Sequence, residues 1–318
     1  MTELLFKIRL FAFVIITALL FKLGWAWVAP VEADAVFTLV RHSDPGLIVL
    51  VAVALTVVTS VLGALIGKAA AVPFGALAAP VGLCTWVLHS KGLDRLLLEH
   101  HDNAQRSDLF RGFLGEVVLW SGLVLLSYFI PMWISKMKLT DPGLPGEKET
   151  GKTEDKTEKS SLFNTISGVG LVCLAGFLVL KVLAQSTKTL AGESPAITVI
   201  TAPKIGQLLF AIYVSFFIGA WGVKHLFHVP TWSLLVGPAI VAFASYWLAA
   251  QMNLPQTIIE QAPAFVKPSV NFAMALPLQM IAVGSLAILI AHWPALLSSH
   301  SISFDPVVPV PQRNKKEN

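Results

Sequence analysis

Charged side chains are scarce in this chain, so those inside long apolar runs are the ones whose chemistry needs explaining. Glu116 is the clearest case, and Lys22 lies at a comparable depth in another apolar run. An ionisable residue inside a membrane span usually faces the bundle interior or a water-filled cavity, and it needs a partner. The functional hypothesis is that Glu116 is a proton- or cation-responsive carboxylate with Lys22 as its partner. The sequence favours the alternatives, which are a side chain that snorkels to the interface or a static ion pair that orients helices.

Three more polar residues belong to the same hypothesis. Gln279 is the counterpart of Glu116 later in the chain, and Glu99 and Glu260 fall in two loops predicted to lie on the same side. These five side chains form the candidate substrate or ion pathway.

The run Glu99-His100-His101-Asp102 offers residue types that bind Zn²⁺. Consecutive histidines on a helix point about 100° apart, which suits one metal ion poorly. A solvated polar face is the better interpretation, and no metal site or cofactor is predicted.

Composition indicates the surroundings that position these side chains. Of the 318 residues 55% are hydrophobic and 13% are charged, and the mean hydropathy is +0.71. Soluble domains carry roughly 25% charged residues, so the chain is predicted to be an all-α polytopic membrane protein. The net charge is only +4 and argues against a nucleic-acid partner. Cys84 and Cys173 both lie in apolar runs and indicate packing residues rather than a disulfide framework.

A membrane-spanning helix needs roughly 20 apolar residues. On that criterion we predict eight helices, near residues 8–29, 47–67, 70–89, 112–133, 162–183, 205–223, 231–250 and 271–293. A cleaved N-terminal signal is the alternative for the first of them. Five prolines could interrupt helices: Pro73, Pro80, Pro230, Pro238 and Pro277.

The two halves of the chain share landmarks in the same order. GALIGKAAAVP at 63–73 aligns with GAWGVKHLFHVP at 219–230, and Pro80, Glu116 and Pro131 then align with Pro238, Gln279 and Pro294. The pattern predicts two four-helix repeats. Because each repeat has an even number of helices, both enter from the same side and are parallel.

The predicted domains follow this division. They are a first repeat at 1–135 with an amphipathic surface helix at 91–111, a disordered tether at 136–161, a second repeat at 162–297 and a Pro-rich basic tail at 298–318. In the surface helix Leu93, Leu96, Leu97, Phe110 and Phe113 are expected to insert into the membrane.

The tether also matches the phosphate-loop pattern at 146–153. No strand precedes this pattern and no helix is predicted after it, so no nucleotide binding is expected.

Basic residues predict the orientation. Thirteen Lys and Arg fall on the side of the termini and tether, against eight on the other side. The positive-inside rule then places both termini in the cytoplasm, and the expected location is a bacterial inner (plasma) membrane.

Two classes of function remain open at this point, with a transporter as the leading hypothesis and a scaffold as the alternative. A duplicated bundle with helix-breaking prolines favours a transporter or permease-like protein for an unidentified small solute or ion. A low number of polar residues favours a non-transporting scaffold or subunit that contacts the bilayer and other membrane subunits. The histidine boxes, paired glutamates and serine motifs of intramembrane enzymes are absent from the sequence, so an enzyme is the least favoured reading. A hydrated cavity that reaches Glu116 would favour transport.

Overall fold

The computed structural model describes residues 3–30, 36–139, 155–185, 187–191, 197–201, 203–227, 229–255 and 273–298. Within these residues the chain is helical apart from one short antiparallel hairpin, β1 (Thr187–Ala191) with β2 (Ile197–Thr201). The helices are α1 (Glu3–Val28), α2 (Pro45–Gly67), α3 (Ala71–Ala76), α4 (Ala78–Val87), α5 (Leu93–Leu98), α6 (Asn103–Leu139), α7 (Asp155–Leu183), α8 (Ile205–Leu226), α9 (Thr231–Leu234), α10 (Gly237–Ala250) and α11 (Pro277–Ser298).

Seven described segments are long and apolar enough to cross a membrane, so the prediction of an integral membrane protein is confirmed. They are Leu4–Val28, Pro45–Gly67, Asn103–Met137, Leu162–Leu183, Ile205–Leu226, Thr231–Ala250 and Pro277–Pro294. Their apolar side chains serve both the core and the surface, as in α1, where Phe13 and Phe21 are fully buried and Phe11 and Trp27 are exposed.

The span predicted at 70–89 differs from the other seven. It consists of α3 and α4, which together cover Ala71–Val87 and are shorter than a full span. Pro80 explains the interruption, because proline has no N–H to bond the carbonyl four residues earlier. The Ser127 hydroxyl of α6 lies 3.3 Å from that carbonyl, on Ala76, and its single hydrogen is shared with the Val124 carbonyl, which is closer at 2.7 Å. A neighbouring helix thus places a hydroxyl beside the group that proline leaves open.

The segment predicted at 231–250 is interrupted in a similar way. A turn at residues 235–236 separates α9 from α10, and Pro238 follows it at the start of α10. The Cys173 thiol contacts the carbonyl oxygen of Gly237 at 3.8 Å.

Lys68 lies in the turn between α2 and α3, as the charge pattern predicts. Its φ is 52°, a left-handed conformation that a lysine seldom adopts, and its side chain is exposed. The turn and the connection 227–230 between α8 and α9 define the Lys68 face of the bundle. The loop face is the opposite end, made by the described parts of the connections 29–44, 88–102, 184–204 and 251–276.

The helices of the two parts of the chain, α1–α6 and α7–α11, pack against each other. Helix α4 packs against α11, α10 packs against α6, and α6 and α11 contact each other. Glycines allow the closest approach inside the first half: a Cβ on Gly63 would lie 2.9 Å from the backbone of Gly75. The resulting interior is one continuous apolar core.

The region predicted as a surface helix at 91–111 is arranged differently. Helix α5 ends at Leu98, residues 99–102 form a break, and 103–111 are the first turns of α6. The Asp102 carboxylate caps α6 by accepting the N–H of Gln105 at 2.7 Å, which fixes this second helix start. The five apolar side chains expected to insert into lipid are buried inside the protein instead: Leu93, Leu96, Leu97, Phe110 and Phe113.

Several sequence-based expectations fall outside the described residues. These are the phosphate-loop pattern at 146–153, the tail beyond residue 298, His228 and Glu260. At the ends of the predicted tether, α6 continues to Leu139 and α7 begins at Asp155, so both helices extend beyond the predicted boundaries at 135 and 162.

Candidate functional site: a buried polar cluster at the loop face

Glu116 lies on α6 with only 3% of its surface exposed. One carboxylate oxygen, Oε1, accepts hydrogen bonds from the Thr38 hydroxyl, from the Leu39 N–H at 2.7 Å and from the Val40 N–H at 3.1 Å. The other oxygen, Oε2, lies 3.4 Å from the indole N–H of Trp120. Residues 39–41 form a single 3-10 turn, so Glu116 supplies the acceptor that the first N–H groups of this turn lack. The carboxylate is held by four donors rather than by a cation.

Lys22 is not one of these donors. The preceding residue, Phe21, is fully buried, and its carbonyl accepts the indole N–H of Trp86 at 2.7 Å. Neighbouring residues of a helix point about 100° apart, so α1 turns Lys22 outward, where it is exposed. The expected pair between Lys22 and Glu116 is not formed.

Gln279 lies in the first turn of α11 and is fully buried. Its Oε1 accepts the Leu276 N–H at 3.0 Å, and its Nε2 donates to the Ser90 hydroxyl at 3.2 Å. Ser90 in turn donates to the carbonyl of Val87 at the end of α4. Gln279 therefore links the start of α11 to the end of α4 through hydrogen bonds.

Glu99 lies at the surface of the loop face. Its Oε2 is 3.7 Å from a guanidinium nitrogen of Arg41, and both side chains are about half exposed, with values of 61% and 47%. Such a surface pair contributes little to stability. The neighbouring His100 is buried, with Nδ1 at 2.6 Å from the Leu96 carbonyl and Nε2 at 2.9 Å from Arg41. A carbonyl only accepts and a guanidinium only donates, so this geometry requires a neutral His100 with its proton on Nδ1.

Metal binding has no support in the described part of the chain, where no group of three or more His, Cys, Asp and Glu side chains could hold an ion. On the Lys68 face, His292 is buried and its Nδ1 lies 3.5 Å from the Thr231 hydroxyl. His225 is exposed and packs on Trp221.

The structure adds Tyr246, which sequence reasoning did not select. Its hydroxyl donates to the Ala275 carbonyl at 2.6 Å, one residue before the Leu276 N–H that Gln279 caps. Its ring packs on Phe110 and Phe113 of α6, with centroid distances of 6.4 and 5.4 Å. A single hydroxyl-bearing aromatic inside an apolar run is the signal that could have identified it.

Asn103 makes a second connection that sequence reasoning missed. Its Nδ2 donates to the Leu254 carbonyl at 2.8 Å, and its Oδ1 accepts the Leu254 N–H at 3.0 Å. The amide thus pairs with the backbone of one residue just after α10, and 151 residues separate the two along the chain.

We expect Asn103→Ala to lower the free energy of unfolding by about 2 kcal/mol, because two hydrogen bonds of about 1 kcal/mol each are lost together. The measurement is the apparent melting temperature of the purified protein in detergent. Arg111→Ala, on the same helix and exposed, is the control, because its pair with Asp108 lies at the surface and contributes little. An Asn103→Ala protein with the same melting temperature as the Arg111→Ala protein would contradict this role of the amide.

Aromatic pairs join the two parts of the chain at the opposite end as well. Phe6 of α1 lies 6.5 Å from Trp293 of α11, and Phe129 of α6 lies 6.2 Å from Trp232 of α9. This end of the interface is therefore closed by packed side chains in this conformation.

Taken together, the cluster can cap helices and hold segments in place. Glu116 is 3% exposed, and Gln279 and Tyr246 are fully buried. No protein-family model, curated protein or solved structure matches this chain.

Proposed function

We propose that this chain is a non-transporting structural subunit of a larger membrane assembly. One observation carries the proposal: the buried polar groups at the loop face, Glu116, Gln279 and Tyr246, all act as caps or clamps. Buried polar side chains fixed in this way stabilise one arrangement of helices. A carrier would need a hydrated path to Glu116, and this residue lines neither the cavity beside Lys91 nor the one beside Pro45.

The proposed architecture is a pair of parallel four-helix repeats related by an axis along the membrane normal. Two features support it: α4 packs on α11 while α10 packs on α6, and the third span of each proposed repeat is interrupted next to an aligned proline, Pro80 or Pro238. The tether at 136–161 would join the repeats. The proposed location is a bacterial inner membrane with both termini in the cytoplasm, supported by the distribution of Lys and Arg.

A permease-like transporter is the second candidate, and the interrupted helices favour it. Transporters bind solutes where discontinuous helices expose backbone groups near the centre of the membrane. Here the Ser127 hydroxyl of α6 already lies 3.3 Å from the Ala76 carbonyl beside the first interruption. A carrier would have to open this contact or the aromatic pairs at the Lys68 face.

Thiol accessibility separates the two candidates without knowledge of a substrate. Ala282 is fully buried and lies one turn beyond Gln279 on the same side of α11. In a Cys84→Ala/Cys173→Ala background, we expect Ala282→Cys to resist a small cationic thiol reagent in permeabilised membranes. Gln105→Cys, at an exposed position, should react at once.

Denaturation must then make the thiol introduced at 282 fully reactive, which shows that it was protected rather than oxidised. Reaction of the native Ala282→Cys protein within about tenfold of the Gln105→Cys rate would overturn the structural proposal and favour a carrier that opens. In mild detergent, a structural subunit should also migrate as an assembly larger than its own 34.3 kDa in a micelle. Migration as a monomer would contradict the proposal.

A further inference from the structure

A cavity of about 400 Å³ opens at the loop face between the two parts of the chain. Residues 91–95, before and within α5, form one wall, and residues 203–208, at the start of α8, form the other, with Met274 between them. This volume falls within the range of small-molecule sites, roughly 300–1,000 Å³. The cavity is separate from the polar cluster around Glu116.

The floor of the cavity is apolar. Leu93, Leu208 and Met274 are each buried, and Pro203 is buried beside them. A small hydrated anion gains nothing from such a floor, whereas the glycerol and first methylenes of a lipid do.

The rim of the cavity is basic. Lys91, Arg95 and Lys204 are exposed around it, and Asp94 is the one acidic residue among the described lining residues. The formal charge of these four described side chains is three positive and one negative, or +2. Lys204 is also the residue before α8, and its side chain does not cap the first N–H groups of that helix. These groups add to the positive potential at the rim.

The depth of the cavity matches that of a lipid headgroup. Helix α4 ends at Val87, four residues before the cavity, and the span formed by α8 begins at Ile205, which is itself a lining residue. The rim is therefore at the boundary between the bilayer and water, where phosphate groups of lipids lie. Basic pockets between membrane helices are suited to anionic headgroups.

We propose that this cavity binds the phosphate-bearing headgroup of an anionic phospholipid, with Arg95 and Lys204 contacting the phosphate and the apolar floor contacting the upper acyl chains. Because its two walls come from α5 and α8, a bound lipid would bridge the two parts of the chain. A headgroup with net negative charge suits a rim of +2 better than a zwitterionic one.

The test uses short-chain lipids with the purified full-length chain in a non-ionic detergent. We expect dihexanoyl phosphatidylglycerol to raise the melting temperature in a saturable way, and dihexanoyl phosphatidylcholine and inorganic phosphate to have little effect. Arg95→Gln/Lys204→Gln should weaken phosphatidylglycerol binding about thirtyfold, since each cation near an anionic lipid contributes about fivefold.

Arg111→Gln/Lys181→Gln is the matched control. It also removes two positive charges from exposed positions, neither of which lines the cavity, and it should leave the affinity unchanged. An equal loss in both double variants would indicate a general charge effect and overturn the site. Equal stabilisation by inorganic phosphate would indicate a small-anion site and overturn the lipid assignment, and equal stabilisation by phosphatidylcholine would overturn the role of charge. Absence of phosphatidylglycerol binding would overturn the proposal entirely.

Discussion

Glu116→Ala is expected to destabilise the protein by about 3 kcal/mol or more. The substitution removes the acceptor of the Thr38 hydroxyl and of the Leu39 and Val40 N–H groups while leaving those donors in place. A buried donor without a partner costs about 1–3 kcal/mol, and little water is available inside a membrane protein to replace the carboxylate. An apparent melting temperature lower by on the order of 10 °C is the expected result.

Glu116→Gln is the informative comparison. The amide oxygen of glutamine can accept the same three hydrogen bonds. Only the contact with Trp120 would be lost, because the glutamine NH2 group and the indole N–H are both donors. We therefore expect a loss of about 1 kcal/mol or less for this variant, and Glu99→Ala, at the exposed surface pair, to be nearly silent. If the glutamine variant were as unstable as the alanine variant, the charge itself and not the capping geometry would be what the fold requires.

Gly63 gives the second large expected effect. A Cβ at this position would lie 2.9 Å from both the Cα and the N of Gly75, and 3.0 Å from the ring of Phe13. Backbone atoms cannot move aside as a side chain can, so α2 and α3 would have to separate. Overpacking of this kind costs typically 1–3 kcal/mol, and we expect Gly63→Ala to lie at the upper end of that range and Gly63→Val beyond it.

Gly122→Ala provides the matched control, because a Cβ there meets nothing within 4 Å. Alanine favours a helix over glycine by up to about 1 kcal/mol, so this variant should be neutral or slightly more stable. Both proteins can be compared by thermal melting and by their elution as single species from a sizing column. A Gly63→Ala protein that matches Gly122→Ala would show that α2 and α3 are not held as closely as the Cβ distance implies.

Much of the helical architecture could be predicted because apolar run length alone reports membrane spans. Helix α2 was expected at 47–67 and occupies 45–67, with Pro45 at its first position and the Asp44 side chain as its cap. Prolines also indicated where helices could break, as they do near Pro80 and Pro238. The amphipathic pattern at 91–111 predicts insertion into lipid, whereas its apolar side chains are buried inside the protein. The same apolar residue types suit both environments, so the pattern does not distinguish them.

The candidate site was harder to predict. The sequence selected Glu116 because a carboxylate in an apolar run is unusual, but its partners are backbone N–H groups, and every residue except proline has one. Lys22 was assigned as the partner of Glu116 from its depth along the helix. The direction of its side chain, however, depends on which face of α1 is buried. Tyr246 and Asn103 donate to the carbonyls of Ala275 and Leu254, and residue types do not indicate which backbone group a polar side chain will bond.

The contact between Ser127 and the Ala76 carbonyl has a consequence for biosynthesis. The acceptor precedes its donor by 51 residues, so α3 and α4 leave the ribosome before the helix that completes them exists. Until α6 arrives, the interrupted segment Ala71–Val87 is short for a span, and its Ala76 carbonyl has no neighbouring hydroxyl. We therefore expect the stable entry of this segment into the bilayer to depend on that of α6.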